Sequence, residues 1–221
     1  MPGRRKQLVF ENKDLWYFVG LIAADGNLSS DGRHIDITAK DPLFLEELKK
    51  SLGLQNKIGS KRNGRGIESF HIQFANRDFY DFLLSIGLTP KKSLTLGELK
   101  VPYQWFQDFL RGVIDGDGCI RNWTHPTNGK EQWSLRVYSA SPSFLKWLKL
   151  CVEKSFFVKG QIHHSAASTL VLKFGKLAAK QILKKCYYEG CLSLDRKTKL
   201  AQMCCASGSG WGTSKTLLCV S

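Results

Sequence analysis

Asp25 and Asp117 close two copies of one nonapeptide, Phe18-Val-Gly-Leu-Ile-Ala-Ala-Asp-Gly26 and Leu110-Arg-Gly-Val-Ile-Asp-Gly-Asp-Gly118. Gly20, Ile22, Asp25 and Gly26 pair with Gly112, Ile114, Asp117 and Gly118 at a constant offset. A lone Asp-Gly at a helix end is ordinarily a turn or a cap. A tandem could do more: two carboxylates brought together would repel each other unless cations sat between them. Such a pair would have the chemistry of a divalent-metal site. Mg²⁺ prefers carboxylate and water oxygens, and hydrolysis needs charge stabilised on both the attacking and the leaving oxygen. A second recurrence lies downstream, Pro90-Lys91-Lys92-Ser93 and Asp195-Arg196-Lys197-Thr198, which by itself reads as ordinary solvated basic pairs.

The elements that must position these residues repeat as well. Asp41-Pro42-Leu-Phe44-Leu45 matches Ser141-Pro142-Ser-Phe144-Leu145, and each opens an amphipathic helix, Phe44 to Leu52 and Phe144 to Val152. The offset is larger here than at the nonapeptides, which fits an insertion in the polar stretch Arg121 to Gln132. Alternation of period two marks strands: Ile35 and Ile37 against His34, Asp36 and Thr38, and Leu135 and Val137 against Ser134, Arg136 and Tyr138. Phe70, Ile72 and Phe74 alternate with Ser69, His71 and Gln73, as Leu170, Leu172 and Phe174 do with Thr169, Val171 and Lys173. Shorter strands centre on Ile58 and Ile162, and later helices cover Asn76 to Ile86 and Gly175 to Cys186.

Each half thus reads helix, two strands, helix, two strands, helix, an α+β pattern. One sheet face packs on helices. The other carries Arg, Lys, His, Gln, Ser and Thr in both halves, which suits a groove for nucleic acid better than a merely solvated surface.

Composition agrees. Lys and Arg number 33 against 19 Asp and Glu, a net charge of +14, which points to a polyanionic partner. Residues 1–110 carry 16 basic and 13 acidic side chains and residues 111–221 carry 17 and 6, so most of the excess belongs to the second half. No stretch approaches the length of a spanning helix and no signal peptide opens the chain, so the expectation is no membrane and an intracellular location. The seven Cys have no metal-site spacing and read as free thiols in a reducing compartment.

The paired nonapeptides resemble the LAGLIDADG motif of the homing endonucleases, and the resemblance extends over roughly residues 14–203. It implies two pseudo-symmetric αββαββα subdomains whose saddle-shaped antiparallel sheets form a DNA groove, with the motif helices packed side by side at the centre. The halves would be 1–100 and 101–205, with 206–221 a flexible tail and Met1 to Gln7 a flexible arm that carries Arg4, Arg5 and Lys6. Gly20 and Ala24, and Gly112 and Gly116, each four residues apart, would give the helices a small-residue seam for close approach. In the family the last acid of each motif binds metal, often with the carbonyl before it. That carries over to Asp25 and Asp117 with Ala24 and Gly116, holding two or three Mg²⁺ ions, with Mn²⁺ able to substitute. The earlier acidic position is Ala23 in one motif and Asp115 in the other, and the family does not use it for metal.

Lys92 and Lys197 are the implied basic residues at the edge of the active site, able to stabilise phosphate charge or help activate water, with Lys91 and Arg196 as phosphate contacts. Where relatives place a water-ordering polar residue, this chain has Ala39 and Ser139. Groove readers in the first half are Arg33, His34, Asp36, Thr38, Lys61, Arg62, Arg65, His71 and Gln73. In the second they are Arg121, Asn122, Gln132, Ser134, Arg136, Tyr138, Gln161, His163, Thr169 and Lys173. Lys40, Lys57 and Lys159 read as phosphate contacts, and Trp123 and Trp133 either staple the inserted loop or stack on a base. The implied activity is metal-dependent double-strand cleavage of a long asymmetric double-stranded DNA site by a monomer. Alternatives are an intron RNA maturase or a noncatalytic regulator on the same fold. An intein domain is disfavoured by the absence of flanking splicing blocks.

Overall fold

A computed structural model of the chain describes residues 12–62, 64, 66–166 and 169–208. Arg65, the basic arm at 1–7 and residues 209–221 of the expected tail lie outside the described residues.

Each nonapeptide ends a helix: α1 is Lys13–Ala24 and α4 is Phe106–Asp117. Asn12 starts α1 by accepting the Asp14 amide at 2.9 Å, which satisfies a donor that the first turn leaves free. Leu15 to Ala23 are all buried, the mark of a helix enclosed by its own protein rather than laid on its surface. The two helices meet backbone to backbone. A Cβ on Gly20 would strike the Phe109 carbonyl oxygen, one on Gly112 would strike that of Tyr17, and one on Gly116 would come within 2.5 Å of the Ala24 methyl. The seam expected from Gly20, Ala24, Gly112 and Gly116 is therefore the helix contact.

Behind each motif helix lies a four-stranded antiparallel sheet. The first contains β1 (Asn27–Leu28), β2 (His34–Ala39), β3 (Ile58–Arg62) and β4 (Glu68–Ala75) in the order β1-β2-β4-β3. The second contains β5 (Gly118–Thr124), β6 (Glu131–Ser139), β7 (Gln161–Ala166) and β8 (Thr169–Phe174) in the order β5-β6-β8-β7. Register sets the faces: Ile35 lies opposite Phe74 and Ile37 opposite Ile72, while Leu135 lies opposite Phe174 and Val137 opposite Leu172. These pairs enter the core together with α2 (Pro42–Ser51), α3 (Arg77–Ser85), α5 (Pro142–Phe156) and α6 (Lys176–Cys186). Asp41 and Asn76 cap α2 and α3 by accepting the amides of Leu43 and Phe79, each at 3.0 Å.

Three elements differ from the sequence reading. α5 continues past Val152 to Phe156, because Phe144, Leu148, Val152 and Phe156 keep one apolar face going. A further helix, α7 (Asp195–Ala206), starts at the second basic recurrence and takes in the first residue of the expected tail. The stretch from Arg121 to Gln132 is largely paired strand rather than loop. Arg121 lies opposite Ser134 and Trp123 opposite Gln132, and the ribbon is anchored in the core by Ile120 and Trp133. Among the described residues no helix is long and apolar enough to cross a membrane.

Candidate functional site

The site lies where α1 and α4 end together. Asp25 is the C-cap of α1 and Asp117 the last residue of α4. A helix leaves its final carbonyls without intrahelical partners and turns the negative end of its dipole outward. Ala24 and Gly116 sit at those ends, so carboxylate and carbonyl oxygens of like sign converge. Asp25 is exposed and Asp117 half-buried, so it is protein crowding around the carboxyl groups rather than enclosure of whole residues that desolvates them. Desolvation pushes the Asp25 carboxyl above its ordinary range, against the pull of Lys92, Arg196 and Lys197. Desolvation, then the charge of Asp25, raises Asp117 to about 6.

Lys92 and Lys197 occupy equivalent places, but buried rather than at an open edge, with exposures of 8% and 3%. Each ammonium donates to the carbonyl of its own motif's final glycine, Lys92 to Gly26 and Lys197 to Gly118. Burial lowers both pKa values, opposed at Lys92 by Asp117 and Asp25. Each lysine therefore pins the backbone that follows the carboxylate and sets a positive charge behind it.

A cleft opens on each side of the carboxylates. One, of about 950 Å³, has Asp25, Thr38, Lys40, Ser69, Asp115 and Arg196 among its lining. The other, of about 280 Å³, has Asp117, Lys92, Tyr138, Ser139 and Thr169. Ala39 lines the first cleft and Ser139 the second.

Sequence reasoning missed the part played by Asp115. It is 1% exposed and its carboxylate accepts three hydrogen bonds, from the Tyr17 hydroxyl at 2.7 Å, the Tyr187 hydroxyl at 2.6 Å and the Leu194 amide at 2.8 Å. The signal was an acid on an otherwise apolar helix face, but its donors come from α1 and from the segment before α7, which no local pattern connects to it.

Strand parity sorts the candidate readers. His34, Asp36, Thr38, His71, Gln73 and Lys61 share the face of the first sheet opposite its core, and Lys61 lies 3.7 Å from Asp36. Arg121, Gln132, Arg136, Tyr138, Gln161, His163, Thr169 and Lys173 share that face of the second. Cys119, opposite Arg136, and Trp123, whose ring lies 5.7 Å from the Arg121 guanidinium, join them. Lys40 and Lys57 are exposed beside the first sheet.

Several candidates fall elsewhere. Arg62 lies on the core side of its sheet in register with Glu68, which it approaches to 3.9 Å. Asn122 alternates onto the core side, sits opposite Trp133 and donates to Glu131 at 2.8 Å. Ser134 has the right parity but no exposed surface, and accepts from Arg136 at 3.3 Å. Arg33 precedes β2 and lies 3.7 Å from Asp31, while Lys159 reaches back 3.8 Å to Glu153 of α5. Trp133, 1% exposed, is a core staple.

Two motif helices packed through glycine between two antiparallel sheets make up the LAGLIDADG homing endonuclease fold. The homing endonuclease I-WcaI bound to its DNA recognition sequence superposes with a TM-score of 0.63 at 12% identity, over 91% of this chain and 94% of that one. The meganuclease I-SmaMI bound to uncleavable DNA matches at 0.58 and 14% identity, over 86% of this chain and 88% of that one. Full-length DUF199/WhiA from Thermatoga maritima matches at 0.56 and 16% identity over 90% of this chain, which spans 62% of that protein's length. Neither a family model nor a curated relative matches the sequence.

The residues that could hold a cation are all oxygen donors: the carboxylates of Asp25 and Asp117 and the helix-end carbonyls of Ala24 and Gly116. Among the described residues no cluster of three or more His, Cys, Asp or Glu offers a richer site. An all-oxygen donor set of this kind would suit Mg²⁺, which keeps several waters, better than Zn²⁺, which favours nitrogen and sulfur donors.

Proposed function

We propose that this chain is a site-specific DNA endonuclease that uses Mg²⁺ to hydrolyse both strands of a long, asymmetric duplex target, acting as a monomer. The observation that carries the reading is the pair Asp25 and Asp117, crowded together at the ends of two glycine-packed helices, with Lys92 and Lys197 behind them and a polar sheet face on either side. When bound, Mg²⁺ supplies Lewis-acid stabilisation of the phosphate oxygens and a more acidic water. The chain's own residues do the rest. Asp25 and Asp117 hold the charge that binds the cation, and Gly26 and Gly118 are fixed by the lysines so that the carboxylates keep their spacing. Arg196 and Lys40 line the Asp25 cleft, where a phosphate would lie. The groove faces differ at nearly every equivalent position, Thr38 against Tyr138 and His71 against Val171, so the halves would read different sequences.

The test is cleavage of a randomised-site duplex library with Mg²⁺ by the full chain and by Asp25→Asn and Asp117→Asn variants. One long asymmetric site cut on both strands, with cutting lost in each variant, is expected. Tight binding with no cutting by the unaltered chain would replace this reading with that of a noncatalytic DNA- or RNA-binding protein.

A further inference from the structure

The two clefts are lined differently, and Asp115 contributes to only one of them. In the second half the segment between α6 and α7 is fastened to the motif helix at several points. Asp115 takes the Tyr187 hydroxyl and the Leu194 amide, and the buried Arg111 guanidinium donates to the carbonyls of Cys186 and Leu192, both at 2.9 Å. Arg111 also lies about 5 Å from the rings of Tyr17 and Tyr188. Leu194 is the residue from which α7 starts, and Arg196 and Lys197 follow in its first turn. Lys197 is spent on the Gly118 carbonyl, whereas Arg196 stays exposed in the cleft of Asp25.

Among the described residues the first half shows no counterpart of the Asp115 tether. Ala23 replaces Asp115 and offers no acceptor. Lys91, the partner of Arg196 in the recurrence, has a left-handed backbone (φ 56°) and does not line the Asp117 cleft. A guanidinium can bind a phosphate through two parallel hydrogen bonds, so one cleft has a charge-matched clamp that the other lacks.

Building on the endonuclease reading, we propose that Asp115 is a positioning residue that fixes the start of α7, keeps Arg196 in the Asp25 cleft and thereby makes the chain cut the strand lying there first. The step in either cleft is the same hydrolysis: a water oxygen bonds to phosphorus, one ester P–O bond breaks, and the proton lost by the water is balanced by one gained at the leaving oxygen. Only its rate differs, because Arg196 stabilises the charge that grows on the phosphate oxygens.

The experiment uses the full chain, Mg²⁺ and supercoiled plasmid carrying the selected target, with the two strands end-labelled separately. A nicked intermediate cut always in one strand is expected. Arg196→Ala and Asp115→Ala should each slow that strand about tenfold or more while leaving the other strand within about twofold. Asp115→Asn, which keeps an acceptor for the Leu194 amide, should restore the strand order. Because Asp115→Ala strips three donors of their acceptor and risks the fold, Tyr187→Phe serves as a milder variant, expected to shift the bias in the same direction. Equal slowing of both strands in Asp115→Ala and Tyr187→Phe, or unchanged strand order in Arg196→Ala, overturns the proposal.

Amide exchange over 190–197 reads the tether without any DNA. Faster exchange at Leu194 in Asp115→Ala than in Asp115→Asn supports it, and equal exchange overturns it whether or not the chain cuts. A chain that binds its target and never cuts sinks the nuclease reading and the strand order together, and exchange alone then decides the tether.

Discussion

Asp117 shows how much of the chemistry turns on a single environment. Its carboxyl is raised from the ordinary 3.8 to about 6 by desolvation and by Asp25. The sign of the consequence is fixed by linkage: the stability that comes from the protonated form is fully present below 3.8 and is lost as pH rises through about 6. A cation must displace that proton, so its binding weakens in the opposite direction. In thermal melts, the rise in Tm produced by Mg²⁺ should be large at about pH 7.5 and small at about pH 5. Asp117→Asn should abolish that difference; a Mg²⁺ shift independent of pH would show that no proton is displaced at this site.

Lys197, buried on the Gly118 carbonyl, makes a second residue-scale prediction. Lys197→Met should cost about 1–3 kcal/mol in urea unfolding, because it removes a hydrogen bond from a charged donor to a partly buried carbonyl. It should leave the salt dependence of DNA binding unchanged, since the ammonium already has a protein partner; a shallower salt slope in this variant would mean that it contacts phosphate instead.

At the scale of elements, the decisive contact is α1 on α4. Both crossing points place a glycine Cα where any side chain would meet a carbonyl oxygen. Gly112→Val is therefore expected to lower stability by about 3 kcal/mol or more, at the upper end of overpacking costs, and to separate the two carboxylates. Urea unfolding measures the first effect and Mg²⁺ titration the second. Unchanged stability would mean that the helices do not meet there. The helices and strands around this contact were largely legible in the sequence. The span Asn76 to Ile86 coincides with α3 and its caps, and alternation at 34–38 and 134–138 marks the right faces. The strand β5 and the start of β6 that pairs with it were not legible, because their polar residues alternate with too few apolar ones to announce a strand and the ribbon is held by Ile120 and Trp133 at one end.

For the whole molecule, the two polar sheet faces and a net charge of +14 set the expected behaviour toward DNA. If the groove makes six to ten phosphate contacts, affinity should fall by about 10³ to 10⁵ between roughly 50 and 200 mM salt. Fluorescence anisotropy on the selected target checks this, and a flat salt response would show that the basic surface is not the binding surface. If the target is asymmetric as proposed, palindromic versions built from either half-site should bind more weakly than it, since Thr38, His71 and Gly59 in one sheet correspond to Tyr138, Val171 and His163 in the other.

The sequence by itself determined the repeat, the carboxylate pair, the small-residue seam and the alternation of polar-face and core residues. Each of these is a property of spacing along one helix or one strand, and spacing survives without coordinates. Only the tertiary structure decided that Lys92 and Lys197 lie buried on glycine carbonyls, that Arg62 and Asn122 turn away from the polar sheet faces, and that Asp115 ties α4 to the start of α7. Those facts depend on register between strands and on contacts between residues far apart in the chain, such as Asp115 with Tyr17 and Leu194. No local period encodes them; they exist only once the two halves have packed around their shared pair of helices.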